Sequence, residues 1–363
     1  HVVYALERQG FVRPHLADEN DKRTIYLVDM HEPLMFLHNL ETTIKEPFAS
    51  NPAVLRAIEK NHKKLQIAMT KLYPGNLVLS LSSGVMHHRL VDRITSLNDV
   101  PREPLVPRRL GKNMCVPFGK ILRGKVVPNT VTKTLHTDKV YEPDLESYTI
   151  EPFPYYSPLN SQIETIRSFD RPVILVDDLV HKADRLRVLV PKLRETGIPI
   201  KKVVVGVLSG YGRDLMQQLK VPVESIYSMP NVRQWFVEST LYPFIGGDTV
   251  RREEMKVAGL QPSINMILPY ATPKLSGCSR EALVEFSACC IENSRDLFQV
   301  LEAEYRKMYA KNLTLSRLSE AVILPLCPDK GSCMEYDENL AASVYLENDL
   351  ETLWRMKEFM IKG

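Results

Sequence analysis

Residues 171–185 read RPVILVDDLVHKADR. Four apolar residues, Val173 to Val176, run straight into adjacent carboxylates at Asp177 and Asp178, and Lys182, Ala183 and Arg185 follow. Like charges this close repel, and neither ionises cheaply unless something binds them. The pair therefore sits either at an exposed sheet edge or where a cation or polar ligand meets it. Upstream, ILRGKVVPN supplies Arg123, Gly124 and Lys125, which by themselves make a solvated basic turn.

Other chemistry-bearing groups are weaker signals. His87 and His88 follow Gly84; a neutral imidazole there could move protons, yet if the two open a helix, one faces solvent. TVTKTLHTDK (130–139) alternates hydroxyls with Lys133, His136 and Lys139 and reads as a solvated amphipathic element. GVLSGYG (206–212) fits neither glycine-rich nucleotide spacing and reads as a tight turn at Gly210 and Gly212. YPFIGGDTV (242–250) reads as a turn. The six cysteines, at 115, 278, 289, 290, 327 and 333, offer no four-ligand zinc spacing, so reduced thiols are expected.

The elements that must position the acid pair alternate. Strand 173–176, a helix near 183–195 stopped by Gly197, strand 201–208 and a helix in SGYGRDLMQQL form a strand–helix–strand series. Its continuous apolar strands mark a parallel sheet covered on both faces. Before it, Asn51 and Pro52 open a helix over 51–72, followed by a strand at 76–81 and a helix in HHRLVDRITSLN. Residues 114–129 read as a strand and a glycine-containing loop, and the proline- and tyrosine-rich 141–158 as a long loop. From Ser279 a long helix keeps Leu283, Phe286, Cys290, Leu297, Leu301 and Tyr305 on one face, and helices near 314–323 and 339–360 follow. At the other end, YALERQGFV and DKRTIYLVDM predict a short helix, a turn at Gly10 and a strand at Thr24 to Val28. The expected organisation is an N-terminal extension (1–74), an α/β domain (75–260) and a helical C-terminal region (261–363).

Composition bounds the rest. With 363 residues, 44% hydrophobic and 25% charged, the chain is an ordinary globular protein of two or three domains. A net charge of +3 carries no footprint of nucleic acid or anionic membrane. No apolar run approaches the roughly 18 residues of a spanning helix. A cytoplasmic protein is expected, and His1 in first place reads as a piece of something longer.

The segment ending in Asp177 and Asp178 resembles the ribose-binding motif of type I phosphoribosyltransferases, a strand of four apolar residues closed by two acids. The resemblance implies that Asp177 and Asp178 hold the ribose hydroxyls of phosphoribosyl pyrophosphate (PRPP), with Mg2+ as cofactor. It puts Lys182, Ala183 and Arg185 at the 5′-phosphate, and Arg123, Gly124 and Lys125 at the pyrophosphate. The loop at 143–158 then stands where that family has a mobile lid. The family's phosphate loop is built of small residues, whereas His181, Lys182, Asp184 and Arg185 stand here. Response-regulator receivers also open with a strand and two acids, but they need a later phosphoacceptor aspartate that VVVGVLSG lacks. The first thirty residues resemble the end of a GNAT acetyltransferase domain, though without its acetyl-CoA loop.

Two functions are thus open. One is a protein binding PRPP, a nucleotide or another phosphorylated ribose, with transfer and pyrophosphate release if it is an active glycosyltransferase. The other is a catalytically inactive module of that fold, serving as a scaffold, as a homodimer or among neighbouring domains of a larger chain.

Overall fold

Asn51 and Pro52 open the first helix of the computed structural model, α1 (Pro52–Leu72). The Asn51 side chain accepts from the N–H groups of Ala53 and Val54, at 2.8 and 3.4 Å, and the proline has no N–H needing an acceptor. Val54, Ile58, Leu65 and Met69 then bury one stripe of the helix. The structure describes residues 29–362, apart from residues 105, 108, 120, 123, 124, 253–256, 274 and 331–334.

The strands in chain order are β1 (Asp29–His38), β2 (Asn76–Ser82), β3 (Met114–Pro117), β4 (Val131–Thr132), β5 (Thr137–Tyr141), β6 (Tyr148–Pro152) and β7 (Val173–Val180). After them come β8 (Ile200–Ser209), β9 (Val223–Met229), β10 (Gln234–Val237), β11 (Asp248–Val250), β12 (Gln261–Ile264) and β13 (Leu326–Pro328). The other helices are α2 (Ser83–Leu97), α3 (Leu159–Arg167), α4 (Asp184–Glu195), α5 (Gly210–Gln218), α6 (Arg280–Tyr309) and α7 (Ala342–Lys362). Short 3-10 turns stand at Leu40–Thr43, Glu238–Leu241 and Leu315–Glu320.

The strands make three sheets, two of them wholly parallel: β4-β3-β7-β8-β9 and β10-β1-β2. The third, β13-β12-β11-β5-β6, is mixed. The chain is therefore an α/β protein with parallel sheets.

The apolar run of β7 now has its cause. Val173 to Val176 are all 0% exposed, and they alternate between two cores. Val173 and Leu175 pack with α3, α4 and α5 through Ile163, Leu186, Leu189 and Met216. Ile174 and Val176 pack with α2 and β1 through Met86, Leu90, Met35 and Leu37. A strand covered on both faces has no polar face to show in its sequence. Each such side chain contributes roughly 1.5–3 kcal/mol on burial. On the far side of β1, Leu34 and Phe36 join α1, α6 and α7 in the largest core.

Several expectations change. Residues 141–158 are not one long loop: β6 pairs antiparallel with β5, Thr137 opposite Pro152 through Tyr141 opposite Tyr148. Prolines at 143, 152 and 154 suggested a loop, but they flank the ladder or end it. The strand expected in 114–129 spans only Met114–Pro117. The C-terminal region has its two long helices, but residues 314–323 hold only a 3-10 turn, and β12 and β13 add strands. Sheet partners also lie on both sides of residues 74/75 and 260/261, since β1 pairs with β2 and β10, and β11 with β12. The expected strand at Thr24 to Val28 and the helix before it lie outside the described residues, with the GNAT resemblance they carry.

Candidate functional site at the carboxyl edge of β3 and β7

In the parallel five-stranded sheet, the chain leaves β3 toward β4 on one side and leaves β7 toward β8 on the other. Diverging connections open a crevice beyond the carboxyl ends of the two strands, the usual ligand position in a parallel α/β sheet. Asp177 and Asp178 stand there on β7, and Gly119 faces them from the turn after β3. That turn is pinned: Phe118 donates its N–H to the Val176 carbonyl at 3.1 Å, and the Thr137 hydroxyl donates to the Phe118 carbonyl at 3.0 Å.

The strand period puts Asp177 on the face of Val173 and Leu175, the face that α4 covers. Asp177 is 3% exposed, and Asp178 is half-buried. Asp177 Oδ1 accepts the Asp178 N–H at 2.9 Å, and Asp178 Oδ1 accepts the Leu179 N–H at 2.8 Å. From the first turn of α4, Arg185 brings Nη1 to 3.9 Å from Asp177 Oδ2. Burial raises the Asp177 carboxyl well above the usual range and the Asp178 charge adds to this, while Arg185 pulls the other way. Burial also disfavours the Arg185 charge, but Asp177, Asp178, Asp138 and Asp248 outweigh it and hold the guanidinium protonated. Arg185 Nε is buried without a hydrogen-bond partner.

The mixed sheet supplies a second wall. Asp138 is buried on β5, and its Oδ2 accepts from the Thr249 hydroxyl of β11 at 2.6 Å. Lys139 Nζ lies 3.8 Å from the ring centre of Tyr148 and 4.6 Å from that of Tyr141. Burial lowers the Lys139 ammonium pKa, against the pull of Asp248 and Asp184. Burial likewise pushes the Tyr148 phenol up to about 12, helped by its hydrogen bond with Asp184.

The loop between β7 and α4 has only three residues. Ala183 adopts a left-handed conformation, φ 51°, which costs a residue with a Cβ roughly 1–2 kcal/mol. Lys182 is exposed, while His181 leans over β8 with Nδ1 2.8 Å from Ser209 Oγ. Of the other residues the sequence singles out, Lys125 is exposed, and Arg123 and Gly124 lie outside the described residues. His87 and His88 lie early in α2; His88 faces solvent beside Arg102, and burial lowers the pKa of half-buried His87. Gly210 and Gly212 form the first turn of α5 rather than a free turn. A Cβ at Gly212 would lie 2.2 Å from the Val180 carbonyl oxygen, so glycine lets this helix seat against the end of β7. Cys115, Cys278, Cys289 and Cys290 are free thiols, and Cys333 lies outside the described residues.

Sequence reasoning missed Gly119 as a neighbour of Asp177 and Asp248 as a charge near Arg185, and took 130–139, with Asp138 and Lys139, for a solvated element. No spacing rule links them to residue 177; the sheet order does.

No protein-family model matches the chain, and no curated protein matches it. Among solved structures, it is similar to a purine phosphoribosyltransferase from Pyrococcus horikoshii Ot3. The identity is 13%, the overlap covers 43% of this chain and 86% of that one, and the TM-score is 0.26. A likeness at that level bears on neither activity nor substrate. Among the described residues, no helix is long and apolar enough to cross a membrane.

Proposed function

We propose that the chain binds a phosphorylated ribose, PRPP or a nucleotide, in the crevice between β3 and β7, as the resemblance to type I phosphoribosyltransferases implies. One observation carries the reading: an acid pair, Asp177 buried and Asp178 half-buried, at the point where the parallel sheet's connections diverge, faced by an arginine whose Nε has no acceptor. Vicinal hydroxyls of a ribose donate to carboxylates, and a phosphate oxygen accepts from a guanidinium. Arg185 meets the phosphate in this reading, with the backbone of Ala183 beside it and Lys182 entering from solvent. Arg123, Gly124 and Lys125 serve a pyrophosphate group if PRPP is the ligand.

Magnesium fits Asp177 poorly as a direct ligand. Oδ1 already accepts an N–H and Oδ2 faces Arg185, so a guanidinium supplies the positive charge. The proposed activity is therefore binding, with no requirement for transfer. The second reading, a scaffold that keeps the fold without the ligand, draws on the same Arg185, because an acid pair neutralised internally needs no guest.

Calorimetric titration of PRPP, with and without Mg2+, into the protein and into Asp177→Asn/Asp178→Asn separates them. Binding that the double variant loses supports the ligand-binding reading and justifies a screen of acceptor bases for turnover. No binding to the unaltered protein overturns it and leaves the scaffold.

A further inference from the structure

The three-stranded parallel sheet has a carboxyl edge of its own, and it is furnished. β1 and β10 pair with Leu37 opposite Val237, so the next residues, His38 and Glu238, emerge side by side. There too the connections diverge, β1 leading through α1 to β2 and β10 leading away from the sheet. His62, from the middle of α1, closes the group: its ring centre lies 4.1 Å from that of His38.

Glu238 is 0% exposed. Its Oε2 lies 2.6 Å from His62 Nε2 and 3.6 Å from His38 Nδ1, while Oε1 has no hydrogen-bond partner. His38 Nδ1 has no hydrogen-bond partner either. The other nitrogen of His38 bonds Ser80 Oγ, which also accepts from Gln66 Nε2 at 3.0 Å. With the imidazole proton on the Ser80 side, the Nδ1 lone pair faces a carboxylate across a gap that only a cation fills favourably.

We propose that His38 Nδ1, His62 Nε2 and Glu238 bind a divalent transition-metal ion of the zinc class. One candidate donor atom from each residue lies within 4.8 Å of the others. Tetrahedral zinc, with bonds of about 2.0–2.1 Å, sets its ligand atoms roughly 3.3 Å apart, a spacing that the observed 2.6 and 3.6 Å bracket. Two imidazoles select this class over magnesium or calcium, which take oxygen donors. Ser80 and Gln66 fix the His38 ring from behind, the usual part of an outer hydrogen-bond partner.

Three protein ligands leave a fourth position, and it faces a cavity of about 200 Å³ lined by His38, His62, Asn39, Ser82 and Ser83. Ser82 opens α2 without a side-chain cap, so the first N–H groups of that helix stand at the cavity without an acceptor from it. The open position therefore takes water or the oxygen of a small anion. This site is separate from the acid pair, and its test does not depend on that reading.

The probe is Zn2+ alone, titrated into the full chain in competition with a chromophoric chelator, with Co2+ as a spectroscopic stand-in. Expected are one equivalent bound, tetrahedral Co2+ absorption, and a Zn2+-dependent rise in melting temperature. His62→Asn, a change at a partly exposed ring, should weaken binding by more than about 100-fold, beyond the roughly 10–100-fold that loss of an outer partner causes. Ser80→Ala should fall within that smaller range, and Asp177→Asn/Asp178→Asn should leave Zn2+ affinity unchanged. No binding to the unaltered protein, or equal affinity in a folded His62→Asn variant, overturns the proposal in favour of a hydrogen-bonded His–Glu–His cluster.

Discussion

A Cβ built on Gly119 would lie 1.6 Å from Asp177 Oδ1 and 2.5 Å from its Cγ. The carboxylate cannot swing clear without giving up the Asp178 N–H that Oδ1 accepts. Gly119→Ala should therefore destabilise the protein by about 1–3 kcal/mol, the ordinary cost of overpacking. It should also weaken any ligand held by the pair. Urea denaturation and calorimetry check both, and unchanged values would show that the β3 turn moves freely.

The raised pKa of Asp177 makes a signed prediction. An unfolded aspartate titrates near about 3.9. Between that pH and the higher folded value, the folded chain holds a proton that the unfolded chain has lost. The stability from this group is thus fully present below the unfolded pKa and is lost as pH rises through the folded one. Asp177→Asn lacks the titration, so its stability relative to the parent should improve with rising pH across that window. Loss of the Arg185 partner adds an offset that does not vary with pH there. Denaturation curves at a series of pH values test the slope, and parallel curves would remove Asp177 as its source.

Ala183→Gly should stabilise the protein by up to about 1 kcal/mol. Glycine relieves the left-handed strain, and the greater entropy of the unfolded glycine chain offsets part of that gain. The measurement is the urea midpoint; a lower midpoint would mean that the Ala183 methyl, which packs against the α4 core, outweighs the strain.

Asn51→Ala removes the cap of α1 and a 3.0 Å hydrogen bond from the Asn51 amide to Glu304 Oε2 on α6. A loss of about 0.5–2 kcal/mol is expected. Asn51→Asp should keep the cap but set a second carboxylate against Glu304, so it should fall between parent and alanine. Thermal melts of the three proteins give the order.

How far the sequence could be read depends on how local the cause is. The cap at Asn51, the apolar stripe of α1 and the run from Val173 to Asp178 each have their cause within a few residues, and each forms where expected. β6 does not, because Pro143, Pro152 and Pro154 speak for a loop while the partner that overrides them, β5, is fixed by the turn between. His38, His62 and Glu238 had no signal at all. They come from a strand, a helix and a turn, without motif spacing, and only the pairing of β1 with β10 brings them together. In the acid pair, residue types were legible, but the direction of Arg185 was not, since it depends on where α4 starts.

The central place of β1 in its sheet bears on how the chain is made. Its outer partner is far away: the Asn39 amide reaches Ser239 Oγ at 2.9 Å across 200 residues. At the ribosome's pace of about 5–20 residues per second, β1 waits roughly 10–40 s with one edge unpaired. Leu34, Met35 and Phe36 are 0% exposed once β10 arrives, and an open apolar edge invites pairing with another chain. Chaperone capture of nascent chains, and aggregation when translation slows before residue 234, should therefore centre on residues 29–38.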